Sequence, residues 1–339
     1  WENLGPALLC DADTDYIDRH YYWDHPKVDF GWRQEFDNLP MLTDFEDGLL
    51  PALTGSKVAG KPLVVTEWCC CWINDTIAEG PLIGAAYACR QDWDAMIWFD
   101  ISHILPDSQM GNEFDIADKP HLFAQWTAAA LLFHRRDLAP FSATARYRIS
   151  REDLLAGQPL STPMDPRAGL QWRVEIEIAD KSLAASSTPA THAPDGASVT
   201  WDEQQGTLTV ISPCTAALDG FLGAGKPYDL GWAKVTVGSD FCVLWLTSLD
   251  SGPLATSRRI LLTAAARAEN TGTRYNSART TLLSSGKAPI LIEPVRARLD
   301  FPQAVTIRPL DQQGRLLAPQ MVKSLALGQG KTFWWVIER

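Results

Sequence analysis

No apolar run in this chain approaches the roughly 18 residues of a membrane-spanning helix. No C-x-x-C pair or regularly spaced histidine set offers a metal site. The seven cysteines are odd in number. Cys69, Cys70 and Cys71 are contiguous, and Cys10, Cys89, Cys214 and Cys242 show no paired spacing. That pattern argues against a disulfide framework and predicts buried free thiols. Positive charge is scarce as well, with 30 Lys and Arg against 41 Asp and Glu and a net charge of −11. Nucleic acid and anionic membrane surfaces are therefore poor partners, since both need clustered Lys and Arg. No secretory leader is visible, and the chain begins at Trp1 without Met, so its true start is expected upstream.

What the chain has is length, tryptophan and two textures. Its 339 residues suffice for two domains with separate cores. Eight of its 14 Trp (Trp1, Trp23, Trp32, Trp68, Trp72, Trp93, Trp98, Trp126) fall in the first third or just after it. Indole faces suit sugar rings, although most of these residues are expected to fill the core. The charge balance also suits a neutral substrate such as a glycan.

Along the first 140 residues, short apolar runs alternate with helical patterns. Tyr16–Tyr22 reads as a strand closed by Pro26, and Leu4–Cys10 could be another. A short helix is expected around Leu42–Leu50, ended by Pro51 and Gly55. Lys61–Trp68 (KPLVVTEW) is the stretch on which the rest turns. Leu63, Val64 and Val65 run without polar alternation, as in a parallel strand covered on both faces, and deliver one carboxylate, Glu67, at the strand end. A glutamate there must be paired or used, because burying a lone ion is costly. Pro81–Gln91 reads as a helix, Trp93–Phe99 as a strand, and Lys119–Arg136 as a helix with Asp118 as its N-cap. Strand, helix and strand in succession imply a parallel sheet.

From Ala143 onward the texture is short alternating strands between Gly, Pro, Asp and Ser turns, the pattern of antiparallel β-sandwich modules. Ala184–Ser198, rich in Ala, Ser, Thr and Pro, reads as a surface loop. Gly220–Lys226 fits G-x-x-x-x-G-K, but Pro227 blocks the helix a phosphate loop needs. Asn74-Asp75-Thr76 is a glycosylation sequon, meaningful only in a secreted eukaryotic protein.

D-R-H-Y-Y-W-D-H-P, then V-V-T-E-W, then M-I-W-F together resemble the sixth, seventh and eighth strands of a retaining glycoside hydrolase barrel. The group in question contains the family 5 cellulases and mannanases and the family 42 β-galactosidases. D-K-P-H-L-F…L-L-F-H-R-R-D-L resembles the closing helix of such barrels, and Arg259–Gly272 a segment of their accessory sandwiches. The resemblance implies that Glu67 is the nucleophile, with His20 and Tyr21 or Tyr22 as its hydrogen-bond partners. It further implies that Trp98 and Trp68 are sugar platforms, and that the substrate is a β-linked oligo- or polysaccharide cleaved as by an endo-β-glucanase. His25 and His103 are pocket candidates, though loop histidines are commonly just exposed. Neither metal nor organic cofactor is implied. Secretion or a periplasmic location would follow only from the substrate class.

Retention needs a second carboxylate about 5–5.5 Å from the nucleophile, and the chain departs from the pattern there. The group's acid/base follows an asparagine at the end of the fourth strand, and no Asn-Glu precedes the His-Tyr strand. Asn112-Glu113 falls after the eighth-strand segment, Glu2 is too close to the sixth strand, and Asp24, Glu35 and Asp100 are remote substitutes. A complete barrel takes roughly 250 residues. The expected architecture is thus α/β plus all-β. A partial (β/α) TIM-type barrel equivalent to strands 6–8 covers residues 1–140, followed by β-sandwich modules over 141–339, divisible at 141–285 and 286–339. Such a partial barrel is completed by a missing N-terminal half or by a homo-oligomer, unless the chain is a non-catalytic carbohydrate-binding or scaffold protein.

Overall fold

The computed structural model describes residues 5–28, 34–102, 109–157, 164–181, 183–187, 196–223, 225–328 and 332–339. Trp1, Glu2, Trp32 and His103 lie outside them. Strand predominates, at 39% against 18% helix. The sequence therefore builds a β-rich molecule, and its helices gather around one small sheet.

That sheet is parallel. Helix α1 (Gly5–Ala12) precedes strand β1 (Ile17–Trp23), and α2 (Leu49–Thr54) precedes β2 (Leu63–Cys70). Helix α3 (Gly80–Arg90) crosses over to β3 (Ala95–Trp98), giving the order β1-β2-β3. Every residue of α3 is buried, and Pro81 occupies its first turn, where a missing N–H costs nothing. Gly80 and Gly84, one turn apart, let the helix lie against β2. A Cβ at Gly84 would meet ring carbons of Trp68 at 2.4 and 2.5 Å, and one at Gly80 would meet Cys70 Sγ at 2.7 Å.

Several expectations for this region change. Residues 5–12 form a helix rather than a fourth strand, with Leu8 and Leu9 turned inward. A short apolar run cannot be told from a buried helix by periodicity alone. The helix expected around Leu42–Leu50 is a 3₁₀ turn at Met41–Thr43 followed by α2, and Pro51 sits inside the first turn of α2 rather than stopping it. The segment after Lys119 splits into one turn, Pro120–Phe123, and helix α4 (Trp126–His134). Asp118 caps neither, because its carboxylate accepts from Gly111 N at 2.8 Å and Lys119 Nζ at 2.7 Å.

Thr144–Ser150, Arg173–Ala179 and Leu183–Ser187 make a separate three-stranded sheet. Thr144–Ser150 pairs parallel with Arg173–Ala179, against the antiparallel expectation. The intervening residues hold a helical turn and a 3₁₀ turn, the crossover a parallel pair requires. Leu183–Ser187, expected as loop, is the antiparallel third strand.

Beside two small sheets built from residues 268–292, 27–28 and 34–35, most of the chain from Ser198 to Glu338 forms a large antiparallel sheet curled into a half-barrel. Its strands are β4 (Ser198–Asp202), β5 (Thr207–Ile211), β6 (Thr215–Gly220), β7 (Pro227–Asp229), β8 (Lys234–Val237), β9 (Cys242–Ser248), β10 (Arg259–Ala265), β11 (Ala297–Pro309), β12 (Gln320–Ala326) and β13 (Trp334–Glu338). They run in the order β7-β8-β11-β13-β10-β9-β6-β5-β4, with β12 on β11. Strands from both sides of residue 285 interleave here, so 286–339 is not a separate module. Alternation sends Ala217, Val243 and Trp245 to one core, and Ala216, Leu218, Leu244 and Leu246 to another.

The first of those cores runs from Leu8 to Trp245 across residue 140. Trp201 packs its ring edge-on to Phe45 at 5.3 Å, and the Trp245 indole donates to Gln125 Oε1 at 2.9 Å. All seven cysteines are unpaired, but Cys10 is exposed and Cys214 half-buried rather than buried. Asn74 of the sequon is buried, its amide donating to Asp24 Oδ2 at 2.8 Å and Leu39 O at 2.9 Å.

Candidate functional site

The carboxyl ends of β1 and β2 bring Glu67, His20 and Tyr22 together. The strands pair Arg19 with Val65 and then His20 with Glu67, which leaves Thr66 as an extra residue. The β2–β3 register slips over the same stretch, from Val65–Met96 to Trp68–Trp98, so the insertion lies in β2. This is a β-bulge, a device that bends a strand and re-aims a side chain. Its mark is visible in burial, because Thr66 and Glu67 are both half-buried where alternation would hide one of them.

Two groups converge on one oxygen of Glu67. The Tyr22 hydroxyl donates to Oε2, and His20 Nδ1 lies 3.2 Å from the same atom. Among the described residues nothing bonds Oε1. Burial, and then the bond to Glu67 and its charge, push the Tyr22 hydroxyl well above its ordinary value, so it stays a donor. On its other side His20 Nε2 lies 3.2 Å from Thr66 Oγ1 and 3.7 Å from Asp18 Oδ2. Asp18 accepts from Thr66 N at 3.2 Å and meets the Thr66 hydroxyl at 2.8 Å through both oxygens.

Aromatic rings surround Tyr22 edge-on, namely His25 at 5.7 Å, Phe99 at 6.1 Å and Phe114 at 5.4 Å. Phe114 belongs to the segment after β3, which buried Lys119 holds by donating to Asp115 O at 2.6 Å and to the Asp118 carboxylate. A cleft of about 410 Å³ lies beside β1, lined by Arg19, His20, Tyr21, Tyr22, His25, Ala52 and Leu53. Glu67 stands behind His20 and Tyr22 rather than in its wall.

Other expected residues lie elsewhere. Tyr21, on the opposite side of β1 from Tyr22, donates to Asp47 O at 2.8 Å and is not a partner of Glu67. Trp68 and Trp98 are each only 4% exposed and pack on one another at 4.7 Å. The close fit of α3 buries these rings and leaves no face for a sugar, so the platform role is withdrawn for both. Asp24 ties down the loops after β1 and β2, accepting from Asp37 N, Asn38 N and Asn74 Nδ2. Glu35 sits on a short strand pairing with Lys27 and Thr281. The second carboxylate beside His20 is Asp18. Its i, i+2 spacing to His20 on a strand was the signal, since such residues share a face. Phe114 carried no signal at all.

Among the described residues no group of His, Cys, Asp and Glu is arranged to hold a metal ion. No family model matches the chain, and neither does any curated protein or solved structure.

Proposed function

We propose that the protein is a retaining glycoside hydrolase acting on a β-linked glycan in the manner of an endo-β-glucanase, with Glu67 as nucleophile. The observation that carries this reading is the convergence of the Tyr22 hydroxyl and His20 Nδ1 on Oε2. A nucleophilic carboxylate must stay ionised, and a hydroxyl donor with an imidazole 3.2 Å from the same oxygen favours that state, while Oε1 has no hydrogen-bond partner among the described residues. In this reading β1–β3 with α3 are part of a (β/α) TIM-type barrel, residues 1–140, and the curled sheets are its β-sandwich companions. A second carboxylic acid, needed to protonate a poor leaving group, would come from a missing N-terminal barrel half or from a second copy of the chain.

The division of labour dictates the test. An aryl glycoside with an acidic phenol as leaving group, such as 2,4-dinitrophenyl β-cellobioside, needs the nucleophile but little help from an acid. The wild-type chain is expected to release dinitrophenolate, and its 2-deoxy-2-fluoro analogue to label the peptide containing Glu67. Glu67→Ala should do neither. No release and no label from the wild type, at any protein concentration, would remove the enzyme reading. Retained glycan binding would then favour a carbohydrate-binding protein, a reading for which the buried Trp68 and Trp98 give no support.

A further inference from the structure

We infer that Asp18 and Thr66 are positioning residues for the Glu67 carboxylate, acting through the β-bulge and through His20. The inference rests on the nucleophile reading for its catalytic consequence, but its structural half stands alone. A bulge leaves the backbone of its extra residue without a ladder partner, and a buried or half-buried N–H needs one. Thr66 N finds it in Asp18 Oδ1 at 3.2 Å. The same carboxylate takes the Thr66 hydroxyl through both oxygens at 2.8 Å. Asp18 therefore holds the inserted residue by backbone and side chain together.

What the insertion achieves follows from strand periodicity. A slip of one residue sends every later side chain to the other face. Without Thr66 as the extra residue, the position opposite His20 would be Thr66, and Glu67 would turn toward α3, where Trp68 now packs against Gly84. With it, Glu67 meets His20 and Tyr22. The imidazole is held from behind as well, with Nε2 against Thr66 Oγ1 at 3.2 Å and Asp18 Oδ2 at 3.7 Å while Nδ1 faces Glu67. One carboxylate thus holds the bulge that aims Glu67 and, through the Thr66 hydroxyl, the ring that contacts it. Arg19, between them in sequence, is engaged by Asp11 of α1 at 2.5 Å and does not compete for the Asp18 carboxylate.

The full-length chain tests this with four variants. Thr66→Ser keeps the hydroxyl and Thr66→Val removes it at nearly constant shape, while Asp18→Asn keeps an acceptor and Asp18→Ala removes it. Two readouts are followed, the ¹⁵N signals of the His20 ring and kcat and KM on 2,4-dinitrophenyl β-cellobioside. Thr66→Val and Asp18→Ala are expected to shift the ring signals and lower kcat roughly 10- to 100-fold, since small misplacements of reacting groups cost that much, with KM little changed. Thr66→Ser should match the wild type in both readouts, and Asp18→Asn should fall between. Unmoved ring signals in Thr66→Val and Asp18→Ala would overturn the inference, as would a loss in Thr66→Ser equal to that in Thr66→Val. If Asp18→Ala fails to fold, the pair Thr66→Val and Thr66→Ser decides. If the wild type turns over no substrate, the nucleophile reading fails, and the ring signals still decide whether Asp18 and Thr66 position the site.

Discussion

The parallel trio and the large antiparallel sheet answer the same problem in opposite ways. In the large sheet, β6 and β9 are buried along their whole length, with one apolar core on each face. In the trio, the buried helix α3 packs on one face over Leu63, Val65 and Trp68, but the sheet is half open elsewhere. Ile97 on β3 is 50% exposed, and residues 18–22 of β1 are all half-buried. Parallel sheets are ordinarily covered on both sides. A free face on a parallel sheet is a costly exception, and here it coincides with the cluster of Asp18, His20, Tyr22 and Glu67. Ionisable groups in the trio are reachable by solvent and by each other. Those in the closed region are cut off from solvent, and they serve differently.

Glu79 and Asp219 show the difference. Glu79, at the start of α3, is fully buried and accepts from Met41 N at 2.7 Å and Leu42 N at 3.2 Å. Burial, outweighing these bonds, pushes its carboxyl up to about 8. Asp219 on β6 is raised well above its ordinary value by burial and then by the charge of Glu79. These two acids belong to the fold, whereas Glu67 belongs to the site.

The largest expected effect separates those roles. Glu67→Gln should lower turnover of the aryl glycoside by roughly 10³-fold or more, as loss of a nucleophile does, while the melting temperature stays within about 3 °C of wild type. A large fall in melting temperature would mean that Glu67 is structural, and the contrast would collapse. Next comes pH. The folded carboxyl of Glu79 binds its proton more tightly than the unfolded one, so its stabilising contribution is complete below about pH 4.5 and is lost as pH rises through about 8. The loss amounts to at most about 5 kcal/mol. Denaturant midpoints should fall across that window, and Glu79→Gln should flatten the slope. A slope unchanged in that variant would assign the pH dependence elsewhere.

Packing gives a smaller effect. Gly84→Ala sets a methyl against the Trp68 ring in a closed core and should cost about 2–3 kcal/mol by chemical denaturation. Gly111→Ala, where a Cβ meets nothing within 4 Å, should cost far less. Equal costs would show that the α3 side is not tightly packed. The smallest effect concerns the half-exposed pair of Arg279 with Asp75, bonded through Nε at 2.7 Å. Arg279→Met should cost on the order of 1 kcal/mol, which a double-mutant cycle with Asp75→Asn would assign to the pair.

The sequence made the trio legible because Leu63-Val64-Val65 and Met96-Ile97-Trp98 are too apolar and too short for other readings. Nothing in Thr66-Glu67 distinguishes a bulge from regular alternation, so the sequence alone could place Glu67 at a strand end but not say which way it faces. Tyr21 and Tyr22 are chemically equivalent on paper, and only the side of β1 separates them. In the large sheet, T-A-A-L-D-G of β6 shows no strand pattern by itself. It becomes a strand because β5 and β9 supply hydrogen bonds and cover on both flanks. Trp68 and Trp98 misled for a related reason, since two glycines on a helix twelve to eighteen residues away decide whether an indole is a platform or a wedge.

The network anchored by Asp24 and Asp75 has a consequence for how such a chain could arise. Asn38 and Asn74 join the loops after β1 and β2, and Arg279, stacked on Tyr275 at 4.1 Å, reaches them from some two hundred residues later. A region that donates an arginine to the loops framing a site is not an interchangeable appendage. Recombination that swapped it for another domain would leave Asp75 without its cation and loosen both loops at once. The pair thus ties the two halves of this chain together at the loops that frame the site.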